Sequence, residues 1–148
     1  MTIGSIHHVA VVVRSIHESL PRYGRLFGWL PESEPFDFPS QGVRLCFVRT
    51  GAEDQPRVEL VEPVDPDGGV ARFLADRGEG IHHVCLTSDD LPADLAALAV
   101  AEAELIDSQP RPGAHGQVAF IHPRTLNGVL WELVERREAT SPDDRSDP

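Results

Sequence analysis

The chain has 148 residues, 41% hydrophobic and 25% charged, which suits one ordinary globular domain or two half-size modules sharing a core. Thirteen basic against 24 acidic residues leave a net charge of −11, which argues against a nucleic-acid or anionic-membrane surface. Every basic residue is arginine, so Schiff-base chemistry, a lysine general base and a P-loop are excluded.

Residues 6–13 are apolar and β-branched and predict a strand. Residues 15–28 predict an amphipathic helix: Ile16, Leu20, Tyr23, Leu26 and Phe27 form its stripe, Ser15 its N-cap and Gly28 its stop. A short strand near 30–36 and longer ones at 43–49 and 57–62 follow, then a connecting helix over 68–77. A strand at 81–87 precedes a helix at 91–103 with Pro92 in its first turn, and short strands near 104–107, 117–122 and 128–135 complete the pattern. The closing segment, EATSPDDRSDP, carries no apolar side chain larger than alanine and reads as a disordered acidic tail over 138–148. No apolar run approaches the ~18 residues of a membrane span, and no cleavable signal pattern opens the chain. Cys46 and Cys85 sit in the apolar runs LCFV and HVCL and read as buried thiols, so the expectation is a cytoplasmic protein.

The pattern repeats. Ile6-His7-His8-Val9-Ala10-Val11 returns as Ile81-His82-His83-Val84-Cys85-Leu86, and Val58-Glu59-Leu60-Val61-Glu62 returns as Trp131-Glu132-Leu133-Val134-Glu135. Two matches in the same order at nearly one offset predict two copies of a module, about 5–62 and 80–135, within one domain over 1–137.

Alternation along the strands sorts the side chains. Val9, Val11 and Val13, then Val58 and Leu60, Val84 and Leu86, and Val129, Trp131 and Leu133 share faces fit to pack under helices. His7 and His82 fall on those helix-packed faces and read as strand-end histidines. Each opposite face presents one residue able to ligate a metal: His8, Glu59, His83 and Glu132. Taken singly, each is explained as a strand-end histidine or an arginine-paired glutamate. Taken together, four costly mid-strand groups at repeat-related positions share one solution, a cation between them. Two imidazoles and two carboxylates suit a divalent ion such as Zn, Co, Ni or Mn.

The blocks HHVAV, VELVEPVDPDGGVARFL, GEGIHHV, RPGAHG and FIHPRTLNGVLWELVE resemble the vicinal oxygen chelate superfamily, and within it the methylmalonyl-CoA epimerases, over about residues 5–135. The resemblance implies an α+β fold in which two βαβββ modules pair into a half-open barrel around a metal. It puts His8, Glu59, His83 and Glu132 on the four metal-ligand positions. It also implies a homodimer and an isomerase acting on an acyl-CoA, with proton removal between thioester and carboxylate giving a metal-stabilised enolate. Glu132 and then Glu59 are the proton carriers this suggests, since a ligating carboxylate keeps a free oxygen for the substrate. Some members of the family use a non-ligating glutamate on the strand corresponding to 43–48. Here that stretch reads QGVRLCFV, whose polar groups are Gln41 and Arg44, so the second carrier is open among Glu59, a metal-bound water and His115. For the phosphates of CoA, Arg72, Arg111 and Arg124 with His115 flank the motif blocks, and Gly113 and Gly116 suggest close backbone approach to a ligand. A glyoxalase I-like isomerase, a lineage-specific isomerase or cyclase, and a metal-free small-molecule binding or resistance protein are the alternatives on the same fold.

Overall fold

The computed structural model describes residues 1–137; the segment 138–148, expected to be a disordered tail, lies outside the described residues. In chain order the elements are β1 (Ile3–Val12), α1 (Ile16–Phe27), β2 (Leu30–Pro31), β3 (Phe36–Phe38), β4 (Val43–Arg49), β5 (Arg57–Pro63) and α2 (Gly69–Arg77). Then come β6 (Gly80–Ser88), α3 (Leu91–Val100), β7 (Arg111–Gly113), β8 (Gly116–Ile121) and β9 (Trp131–Glu135). The strands make one mixed sheet in the order β2-β4-β5-β1-β6-β9-β8-β7, with β3 also on β4, curled into a half-barrel. This is the α+β architecture expected of two βαβββ modules.

Each module wraps its first strand in the same way. β1 runs parallel to β5 and β6 runs parallel to β9, while β1 and β6 pair antiparallel and join the halves. A parallel pair needs a crossover, and the crossover helices α1 and α3 cover the outer face. Ser15 starts α1 by accepting from the Glu18 amide at 3.2 Å, and Gly28 stops it in the left-handed region at φ 70°. The outer face of module one packs Val13, Ile16, Cys46, Val48 and Leu60 with Leu20 and Tyr23. That of module two packs Leu91, Leu95, Ala119, Ile121 and Leu133 with Trp131, so the tryptophan faces the helix as expected. On the inner face, α2 lays Val70, Phe73 and Leu74 against Ala10, Val12, Val43, Leu45 and Val61. Both cysteines are free and buried.

The last strand begins at Trp131 rather than 128, after Gly128 at a left-handed φ of 76°, and the structure corrects the expectation at three further places. Helix α3 ends at Val100 rather than 103, because Glu102 adopts a left-handed φ of 62° and turns the chain. The strand expected near 104–107 reduces to one bridge, Leu105 to Ile121. There the amides of Ile106 and Asp107 both turn to the Phe120 carbonyl, and the Asp107 carboxylate accepts from the Phe120 amide at 2.9 Å in place of a ladder bond. Third, the single strand near 30–36 divides into β2 and β3, both on β4.

One buried carboxylate ties the chain's beginning to α3. Asp94 is fully buried and accepts from the Thr2 amide at 2.6 Å, the Thr2 hydroxyl at 2.8 Å and the Ser88 hydroxyl at 2.7 Å. Burial alone would raise its pKa, but these donors outweigh burial and hold it below the ordinary value. Its contribution is complete above the unfolded pKa near ~3.9 and lost as pH falls through the lower folded value. Asp94→Asn is therefore expected to cost about 1–3 kcal/mol at pH 7, with the two proteins converging in strong acid; equal urea midpoints at pH 7 contradict this.

Candidate metal centre and adjoining cavity

His8 and His83 come from the central β1 and β6, and Glu59 and Glu132 from the strands that flank them. Ala10 pairs with both His83 and Glu59, and Cys85 with both His8 and Glu132, so the register sets the four within one patch of the inner face. Their tips meet. The His8 and His83 Nε2 atoms are 3.2 Å apart, and Glu132 Oε2 is 3.2 Å from the first and 2.8 Å from the second. Glu59 stands slightly back, with oxygens 3.7 Å from His8 Nε2 and 3.9 Å from His83 Nε2. None of the four residues is more than 8% exposed. The arrangement is pseudo-symmetric: His8 packs edge-on to Phe47 at 5.3 Å between ring centres, and His83 to Phe120 at 5.5 Å.

The donor set fits a divalent ion. Ligand atoms held at about 2.0–2.2 Å from one centre stand roughly 3.0–3.5 Å from each other, and the observed spacings bracket that range. The charge also calls for one. Among the described residues, neither Glu59 nor Glu132 has an arginine within ion-pair distance. Burial, and then the charge of Glu132, push the Glu59 carboxyl well above the ordinary range. Burial works in the same direction on Glu132, but its hydrogen bonds with His8 and His83 overcome it and hold that carboxyl below the range. Burial lowers His8, and burial followed by the charge of Glu132 raises the Cys85 thiol.

His7 and His82 do not lie on the outer face. Between Ile6 and His8, strand β1 advances two residues while β6 advances one; between Ala10 and Val11, β6 has the additional residue. His7 and His82 are thus the inserted residues of two β-bulges, and a bulge breaks strict alternation. His7 borders the cavity, and His82 packs against Phe73 of α2 at 5.0 Å between ring centres. Burial is the main cause that lowers both imidazoles to about 4, so they are neutral at pH 7.

A cavity of about 230 Å³ opens beside the four-residue cluster, its lining including His7, Glu32, Phe47, Arg57 and His115 and also Glu135, Arg136 and Arg137. His115 reaches across from the second module and packs over Phe47 at 4.3 Å between ring centres. Of the three arginines considered from sequence, Arg72 is exposed on α2 and Arg124 is exposed and paired with Glu104 at 2.6 Å. Arg111 pairs with Asp107 at 3.1 Å and lies 5.0 Å over the Phe120 ring. None of the three lines this cavity. Sequence reasoning passed over Arg57, Arg136, Arg137 and Glu32. A signal for the first two existed: Arg57 lies two positions before Glu59 and Arg136 four after Glu132, in phase with the inner face. Glu32, which pairs with Arg57 and Arg49, follows a strand of only two residues, too short to show a phase.

Residues 7–120 match the Glyoxalase/Bleomycin resistance protein/Dioxygenase superfamily. The chain belongs to that superfamily. Within it, the chain is 38% identical to the mitochondrial methylmalonyl-CoA epimerase of Dictyostelium discoideum, over 90% of this chain and 80% of that protein. It is 34% identical to the ethylmalonyl-CoA/methylmalonyl-CoA epimerase of Cereibacter sphaeroides, over 90% and 98%. Among solved structures, a variant of Streptomyces coelicolor methylmalonyl-CoA epimerase in complex with 2-nitronate-propionyl-CoA superposes with a TM-score of 0.86 at 27% identity, covering 95% of this chain and 100% of that one. The superfamily membership and these relatives make the chain an enzyme of the isomerase class.

The loop that carries His115 is set by packing. A Cβ on Gly113 would lie 2.6 Å from Val118 Cγ1, so the space left by this glycine is filled by Val118 and not by a ligand. Gly113→Ala is expected to cost about 1–3 kcal/mol by overpacking, read as a lower urea midpoint; an unchanged midpoint would show that the loop yields freely.

Proposed function

We propose that this chain is a metal-dependent epimerase that inverts C2 of methylmalonyl-CoA or of a similar 2-substituted malonyl- or acyl-CoA. The observation that carries the reading is the convergence of His8, Glu59, His83 and Glu132, with spacings of 2.8–3.9 Å and no arginine to balance two buried carboxylates among the described residues. The named activities of the relatives support it. A divalent ion in that donor set, whether Co, Zn, Ni or Mn, supplies a Lewis acid for the charge that develops as the C2 proton leaves.

The chain's residues divide the remaining work. Glu132 is the first proton carrier and Glu59 the second, since inversion needs a group on each side of the carbon. The inner-facing residues of β4, Val43, Leu45 and Phe47, are apolar and offer no carrier. His115, packed over Phe47, is one of several polar groups lining the cavity, with His7, Glu32 and Arg57, and is assigned to substrate contact. Arg137 and Arg136, the latter also paired with Asp89 at 3.1 Å, line the cavity beside Glu135 and are the arginines assigned to the phosphates of CoA. Arg72, Arg111 and Arg124 are assigned to the part of the CoA arm that extends beyond the cavity. The reading extends to a cytoplasmic homodimer, for which sedimentation velocity is the direct measurement.

The test follows deuterium exchange at C2 of methylmalonyl-CoA, with bound metal counted by elemental analysis. Exchange that a chelator stops and added metal restores is expected. Stoichiometric metal without exchange transfers the chain to another isomerase or lyase chemistry of the fold, and absence of metal to small-molecule binding. Glu132→Gln is expected to reduce exchange at least about 100-fold; near-normal turnover removes Glu132 as carrier.

A further inference from the structure

The two bulges on the central strand pair do more than bend it. In a regular strand, successive side chains point to opposite faces and cannot bond to each other. Here His7 Nδ1 lies 2.7 Å from His8 Nδ1, and His82 Nδ1 lies 2.9 Å from His83 Nδ1. The same contact thus occurs once in each module at repeat-related positions, each time made possible by an inserted residue. In both pairs the inner imidazole turns its Nε2 toward the carboxylates and its Nδ1 toward its neighbour.

At these distances each Nδ1–Nδ1 contact can be a hydrogen bond once one of the two nitrogens carries the proton, which the tautomer decides. An imidazole that offers the lone pair of Nε2 to a cation carries its proton on Nδ1 and must donate it. The neighbouring histidine, with its own proton on Nε2, is then the acceptor. We propose that His7 and His82 are positioning residues that fix the ring orientation and tautomer of His8 and His83, so that both present a bare Nε2 to the metal. The inference rests on the metal reading of the site. It assigns to the doubled histidines in both halves a role that sequence alternation had assigned to strand ends. Histidine ligands held this way lose about 10–100-fold in metal affinity when the outer partner is removed.

His82 is the better probe, because it packs against Phe73 and does not line the cavity, whereas His7 does. Leucine fills a similar space without an acceptor, and asparagine supplies an oxygen close to the position of Nδ1. Zinc affinity is measured by competition with a chromophoric chelator for the unaltered protein, His82→Leu, His82→Asn and a His8→Ala control. The expected result is a loss of about 10–100-fold in His82→Leu and an affinity within a few fold of the unaltered protein in His82→Asn. Equal affinity in all three overturns the positioning role while leaving the metal site intact, and so do equal losses in both His82 variants. Zinc binding by the unaltered protein no tighter than by His8→Ala overturns the metal reading and the inference with it. Should His82→Leu not fold, His7→Leu read against His7→Asn gives the same comparison.

Discussion

The antiparallel pairing of β1 with β6 is the constraint on which the rest of this molecule depends. Each module alone holds half a site: His8 with Glu59 in the first, His83 with Glu132 in the second. The strand order β5-β1-β6-β9 puts the two imidazoles on the central strands and a carboxylate on either side. Were the pairing to slip by one residue, the whole inner set of a strand would turn outward. The outer-face cores under α1 and α3 prevent the slip, since it would bring His8 and Glu59 into contact with those helices in place of Val11 and Leu60.

Bringing four ionisable groups into one buried patch is unfavourable without compensation. The opposite displacement of the two carboxyls expresses this: burial favours the proton on Glu59, while hydrogen bonding with two imidazoles favours the anion at Glu132. The neighbouring cavity handles charge differently. Its Glu32 is paired with Arg57 and Arg49, Arg136 is paired with Asp89, and Glu135 and Arg137 share the same lining. Unlike Glu59 and Glu132 in the cluster, Glu32 at the cavity has arginine partners within ion-pair distance among the described residues.

Much of this was legible in the sequence because duplication prints the same signal twice. The nearly equal offsets of the two recurring blocks mark the modules, and period-two alternation in the strands at 57–63 and 131–135 selects Glu59 and Glu132. The same rule failed at His7 and His82, since alternation presumes an unbroken strand and the inserted residues have no composition of their own. The edge strands were blurred for a different reason. β2, β7 and the bridge at Leu105 are too short for periodicity, and the Asp107 side chain takes over a backbone hydrogen bond there. Arg72 and Arg124 adjoin motif blocks yet do not line this cavity, since proximity along the chain does not set which way a helix or turn directs its side chains.

The two flanking carboxylates have a consequence for stereochemistry. Because β5 and β9 lie on opposite sides of the central pair, the fold presents Glu59 and Glu132 from opposite flanks, related by the approximate half-turn that relates the modules. Under the reading proposed above, each flank would serve one face of the carbon, as inversion in either direction requires. The duplication is inexact, Glu59 standing farther from the imidazoles than Glu132, so the two flanks would exchange protons at unequal rates.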